Sequence, residues 1–93
     1  MMRVTVEYTA QLKRAAGISR DEFELNDGAL LPELVAEIAN RHGDELARML
    51  QSADGSPQAT VLPFVADQQV RWDAPDALQD GVTVTLLSPI SGG

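Results

Sequence analysis

The chain has 93 residues, a formal net charge of −7 and no cysteine. That length makes one domain with enough core to fold without disulfides or metal, and the missing thiols exclude a disulfide framework, a thiolate metal site and cysteine nucleophile or redox chemistry. The seven basic residues are scattered from Arg3 to Arg71, whereas phosphate binding needs clustered Lys and Arg, so nucleic acid is not the expected partner. An acidic chain suits a partner with a basic face, and the same charge would also serve simple solubility. No stretch reaches the apolar length of a membrane helix, and Met1-Met2-Arg3 runs straight into a strand pattern, so a cytoplasmic protein without a signal peptide or membrane contact is expected.

In chain order, Arg3 to Thr9 alternates Val4, Val6 and Tyr8 against Arg3, Thr5 and Glu7, which predicts a half-buried strand. Ala10 to Ala16 is rich in helix formers and stops at Gly17, which predicts one or two turns of helix with a glycine just past the end. Asp21 to Leu25 sets Phe23 and Leu25 against Glu22 and Glu24, a second strand pairing back on the first, closed by the Asn26-Asp27-Gly28 turn. The clearest helix runs from about Leu31 to His42. Leu31, Leu34, Val35, Ile38 and Ala39 form its apolar stripe, Pro32 is tolerated in the first turn, and Gly43 ends it.

Glu33 and Glu37 fall on the opposite face with Arg41, and Glu37 to Arg41 is spaced for an i,i+4 ion pair. No His or Cys lies in register with the two carboxylates, so a solvated face is the reading, with no metal site and no acid/base pair. His42, the single histidine, is expected to face the carbonyl end of the helix dipole and is assigned no catalysis. Asp44 is placed as the cap of a short helix through Leu50, with Leu46, Met49 and Leu50 inward. Gln51 to Gln58 is a loop. Thr60 to Val65 is a third strand in which Pro63 implies an edge or a bulge. Ala66 to Gln69 is read as a turn into a fourth strand, Val70-Arg71-Trp72. Asp73 to Leu78 is a loop pinned by Leu78, and Asp80-Gly81 turns into the last strand, Val82 to Leu87.

Two strands, a main helix, then three strands make an α+β order. A right-handed crossover lays the helix on one sheet face and lets the last strand run parallel beside the first. Thr5, Thr83, Thr85 and Leu87 should then line the open face. Past Leu87 regular structure should stop, because Pro89 has no N–H for a ladder and biases Ser88 toward extended backbone. The rest is one apolar residue, Ile90, then Ser91 and a diglycine, Gly92-Gly93. Glycine lets a backbone pass a narrow channel. The expected division is a domain over residues 1–87 and an extended tail over 88–93.

Leu78-Gln79-Asp80-Gly81-Val82-Thr83-Val84 and Leu87-Ser88-Pro89-Ile90-Ser91-Gly92-Gly93 resemble the C-terminal signature of the MoaD/ThiS sulfur-carrier family, and within it the molybdopterin synthase branch. Two positions depart: Ser88 stands where a first proline is common, and Val82 where an acidic residue often follows the turn. The resemblance implies a ubiquitin-like β-grasp fold, a mixed sheet of four to five strands with one main helix on one face. It also implies that an adenylating E1-like enzyme of MoeB type uses ATP to activate the Gly93 carboxylate, which sulfur converts to a thiocarboxylate. A large subunit of MoaE type would then receive the tail and the sulfur. The implied roles are Gly93 as sulfur-bearing residue, Gly92 and Ser91 threading the channel, and Ile90, Pro89, Leu87 and Thr85 contacting the partner. The chain would bind no cofactor itself and have no catalytic side chains of its own. Two alternatives stay open: a carrier or modifier serving thiazole, cysteine or tRNA thiolation, and a β-grasp binding module with an idle tail.

Overall fold

Alternation of apolar and polar residues builds the sheet that carries everything else in this computed structural model, which describes residues 1–88. β1 (Met2–Tyr8) buries Met2, Val4, Val6 and Tyr8 on one face. α1 (Ala10–Ala16) follows and is closed by Gly17, whose left-handed φ of 80° lets its N–H reach the Lys13 carbonyl. β2 (Arg20–Leu25) returns antiparallel to β1, with Val4 opposite Phe23 and Thr5 opposite Glu22. α2 (Leu31–His42) then crosses the sheet and buries Leu31, Leu34, Val35 and Ile38. Its first turn is fastened by the Glu33 carboxylate, which accepts from the Leu30 N–H at 2.9 Å. α3 (Asp44–Leu50) turns in Leu46 and Leu50. β3 (Leu62–Val65), a two-residue β4 (Gln68–Gln69) and β5 (Thr83–Leu87) complete the chain's elements among the described residues.

The strand order is β2-β1-β5-β3-β4. β5 lies in the middle, parallel to β1 with Thr5 opposite Thr83, and antiparallel to β3 with Phe64 opposite Thr85. Among the described residues, helices cover one face only. This is the ubiquitin-like β-grasp arrangement expected above. Leu78 closes the core, its N–H bonded to the Ala29 carbonyl at 2.9 Å. No helix of the described residues is long and apolar enough to cross a membrane.

Four local expectations are corrected. The fourth strand is Gln68–Gln69, and Val70-Arg71-Trp72 is irregular; the turn is the pair Ala66-Asp67, with φ of 51° and 69°. Two left-handed residues make the tight turn whose twist suits a hairpin, but neither is the Asn or Gly that normally signals it. Trp72 instead anchors the following loop through its indole N–H to the Val61 carbonyl, 2.8 Å. Pro63 lies on neither an edge nor a bulge. Ala66 donates to Thr83, so Phe64 and Leu62 share its orientation toward β5 and Pro63 turns its backbone to β4, where its carbonyl accepts from Val70 at 3.0 Å. The absent proline N–H falls on that side, which explains why β4 is so short. Asp44 is the first residue of α3 rather than its cap; Gly43, at φ 88°, serves both helices.

The fourth correction concerns Arg41, which turns from Glu37 to Asp21: its Nη1 lies 2.8 Å from Asp21 Oδ1, and its guanidinium is stacked 3.9 Å over the Phe23 ring. His42 joins it, with Nε2 2.7 Å from Asp21 Oδ2. Tyr8 donates its hydroxyl to the same oxygen at 3.3 Å and meets the His42 ring edge-on. Burial works to raise the Asp21 carboxyl, but the hydrogen bond from His42 and the Arg41 charge outweigh it and hold it below the usual carboxylate range. Burial first, then the Asp21 charge, pushes the Tyr8 phenol upward. The cluster ties the end of α2 to β1 and β2.

Replacing Ala66-Asp67 by Asn-Gly should raise stability by about 1–2 kcal/mol, because non-glycine residues are strained in this region. A urea midpoint that rises with unchanged slope is the expected result; no rise would mean the turn carries no such strain.

Candidate functional site

Period two along β5 divides it between two environments. Val84 and Leu86 are fully buried under the helices, while Thr83, Thr85 and Leu87 are half-buried on the opposite face. Neighbouring strands continue that face in register. Thr5 and Glu7 stand beside Thr83 and Thr85, and Leu62 and Phe64 stand beside Leu87 and Thr85. Thr5, Thr83, Thr85 and Leu87 therefore share the open face, as expected.

That face is unequal along its length. Near the end of β5, Phe64, Thr85 and Leu87 border a shallow depression with Asp67 at its rim. Toward β2 the face is charged: Arg20 pairs with Glu7, and Arg3 lies 3.9 Å from both Glu22 and Glu24. The Arg20 hydrogen bond holds the Glu7 carboxyl below its ordinary range, so it stays ionised. Glu7 Oε1 also accepts from the Thr85 hydroxyl at 3.4 Å. An apolar patch beside a fixed polar band is the pattern of a docking surface with a preferred orientation.

The exit from β5 is tightly held. Thr9 Oγ1 donates to the Leu86 carbonyl at 2.9 Å. At the other end of the strand, Arg3 donates its N–H to Asp80 Oδ1 at 2.8 Å and accepts from the Gly81 N–H at 2.7 Å, which fixes the turn that feeds β5. Gly81 has φ 82°, so glycine suits this turn. Of the residues expected to act with a partner, Leu87 and Thr85 are brought together on the open face. Pro89, Ile90, Ser91, Gly92 and Gly93 lie outside the described residues. Phe64 is an apolar member of the same patch that sequence reasoning missed, because Leu62, Pro63, Phe64 and Val65 are all apolar and no period-two signal separates their faces. Among the described residues no cluster of three or more His, Asp or Glu side chains could hold a metal ion.

The profile of the ThiS family matches residues 6–93. The chain belongs to the ThiS family. Among proteins similar to this ThiS-family chain, the molybdopterin synthase sulfur carrier subunit of Chlamydomonas reinhardtii is 33% identical over 92 residues, covering 99% of this chain and 100% of that protein. A Pyrococcus furiosus structure described as a molybdopterin converting factor subunit 1 superposes with a TM-score of 0.77 at 27% identity, over 97% of this chain and 100% of that one. A chain of the BexX/CysO complex of Amycolatopsis orientalis gives a TM-score of 0.68, also at 27% identity, over 97% of this chain and 99% of that one.

The two faces of β5 should respond differently to truncation. Leu86→Ala should cost about 2–5 kcal/mol in chemical denaturation, as for other fully buried leucines. Leu87→Ala should cost less than about 1 kcal/mol. Equal losses would mean that Leu87 is part of the core and unavailable for docking.

Proposed function

We propose that this chain is a sulfur carrier that serves as the small subunit of a molybdopterin synthase. The observation that carries the reading is the position of β5: the strand leading to Ser88 and the diglycine is the central one, paired on both sides. Whatever partner grips the open face therefore meets the end of β5 in a fixed position and direction. The match to a molybdopterin synthase sulfur carrier across nearly the whole chain supports the choice of product.

The chemistry belongs to Gly93. A carboxylate anion is a poor acyl electrophile and needs activation. In the proposed sequence an E1-like enzyme of MoeB type lets the Gly93 carboxylate attack the α-phosphate of ATP, giving an acyl adenylate and pyrophosphate. Hydrosulfide then attacks the acyl carbon, the acyl–oxygen bond breaks with AMP as leaving group, and loss of the S–H proton leaves the thiocarboxylate. A large subunit of MoaE type supplies the pterin precursor and the catalytic side chains; the thiocarboxylate sulfur displaces an oxygen substituent of that precursor, and water cleaves the resulting thioester, which leaves sulfur on the precursor and returns Gly93 to its carboxylate. Gly92 and Ser91 pass the partner's channel, and Pro89, Ile90, Leu87 and Thr85 contact its wall. This chain's own side chains contribute docking and direction.

Magnitudes favour including the sheet in the interface. Ordering four or five tail residues costs roughly 1–2 kcal/mol each. Burying Leu87 and Ile90 returns roughly 1.5–3 kcal/mol apiece at most. The tail alone roughly breaks even, so docking draws on Phe64, Leu62 and the polar band as well. The similarity to a chain of the BexX/CysO complex favours one second reading, a carrier that delivers sulfur to another product through the same tail chemistry.

Intact-mass analysis of the chain co-expressed with its activating enzyme tests the reading. The expected result is a gain equal to one oxygen exchanged for sulfur, abolished by deletion of Gly93. An unchanged mass in the presence of an active enzyme would remove the carrier reading. Co-purification with a pterin-binding large subunit then separates the first reading from the second.

A further inference from the structure

β2 is the edge strand of the sheet opposite β4, and its outward backbone groups can be identified. Tyr8 donates to the Ser19 carbonyl at 2.9 Å, so Asp21, Phe23 and Leu25 turn their N–H and C=O toward β1. Arg20, Glu22 and Glu24 turn theirs outward. A six-residue strand with a row of outward donors and acceptors is a template for pairing with another strand.

The middle of that row is occupied. The Glu22 carbonyl accepts from Arg41 Nη1 at 2.7 Å, and the Glu22 N–H donates to Asp21 Oδ1 at 3.1 Å. The same Nη1 bonds the same Asp21 oxygen at 2.8 Å. Arg41 reaches this edge from the last turn of α2 by lying across the Phe23 ring, and Asp21, only 11% exposed, is held in turn by His42. Both backbone groups of Glu22 are thus satisfied within the chain by a single braced unit.

Glu22 is also the residue on which self-pairing would centre. Two β2 strands aligned antiparallel about Glu22 place Arg20 of one copy opposite Glu24 of the other, twice, against one Glu22 to Glu22 contact. Opposite charges across strands stabilise such a pair and like charges oppose it, so this register is favourable on balance. We infer that the β2 edge is a latent surface for a second copy of this chain, and that Arg41 and Asp21 lock it shut at Glu22. The lock leaves the open face and the β5 exit as the surfaces offered to partners. It is independent of the sulfur-carrier reading, because it concerns the opposite edge of the sheet from the β3–β4 hairpin and involves no tail residue.

Sedimentation equilibrium of the full chain over a range of concentrations tests the lock. Arg41→Ala should self-associate at least tenfold more tightly than the parent chain. Adding Glu22→Pro, which removes the outward N–H at an edge position where proline is tolerated, should return the mass to that of the parent. Should Arg41→Ala fail to fold, Arg41→Lys keeps the charge and most of the stem but loses the planar fork, and it should shift association the same way. Folded Arg41→Lys or Arg41→Ala with the parent's mass at every concentration would overturn the inference. Association that survives Glu22→Pro would also overturn it, by assigning the effect to the uncovered Phe23 ring.

Discussion

The ladder of backbone hydrogen bonds on both sides of β5 is the constraint on which the rest depends. A strand paired on one side only could pivot or detach under load. β5 is held in parallel by β1 and antiparallel by β3, with its entry fixed by Arg3 and its exit by Thr9. Parallel pairing cannot be made by a tight hairpin and needs a crossover. The chain provides it through α2, α3 and the β3–β4 hairpin, so β5 is added last in sequence yet stands at the centre. The point where the backbone leaves the sheet is therefore set by contacts from both ends of the chain.

From that constraint the two faces acquire separate duties. Val84 and Leu86 bind β5 to the helical layer, and each alternate residue is released from packing and can serve recognition. Leu87 and Phe64 retain surface to bury, while Glu7, Arg20 and Arg3 set an orientation that a purely apolar patch would lack. The edges are managed in different ways. Pro63 curtails β4 by withholding a donor, and Arg41 covers Glu22 on β2. Both devices favour recognition through the face and the exit over recognition through strand addition.

Much of this was legible in the sequence because period-two and helical patterns respond to burial, which dominates in a chain this small. β1, α2 and β5 follow from where Val, Leu and Ile recur, β2 from Phe23 and Leu25 alternating with Glu22 and Glu24, and α1 from a run of helix formers stopped by Gly17. The misplaced elements share a cause: they depend on partners distant in sequence or on backbone angles that residue type announces poorly. Ala66-Asp67 adopts left-handed angles without the usual glycine or asparagine, so the hairpin moved Gln68–Gln69 into the strand. Arg41 had a local partner at Glu37, but a carboxylate shielded from water and shared with His42 is the stronger attraction, and Asp21 lies twenty residues away. Phe64 lies in an all-apolar run, Leu62 to Val65, where alternation assigns no face. For the site, Leu87 and Thr85 could be placed by alternation, whereas the polar band needed the register between β1, β2 and β5.

Amide hydrogen exchange along β5 tests the central claim most directly, namely that this strand is the best-held element of the fold and fixes where the chain leaves it. The N–H groups of Val84, Thr85 and Leu86 should exchange only through global unfolding, with opening free energies equal to those of Val4 and Val6 in β1. Exchange of β5 through a smaller, local opening while β1 stays protected would contradict the account, because the strand would then come away from its neighbours on its own.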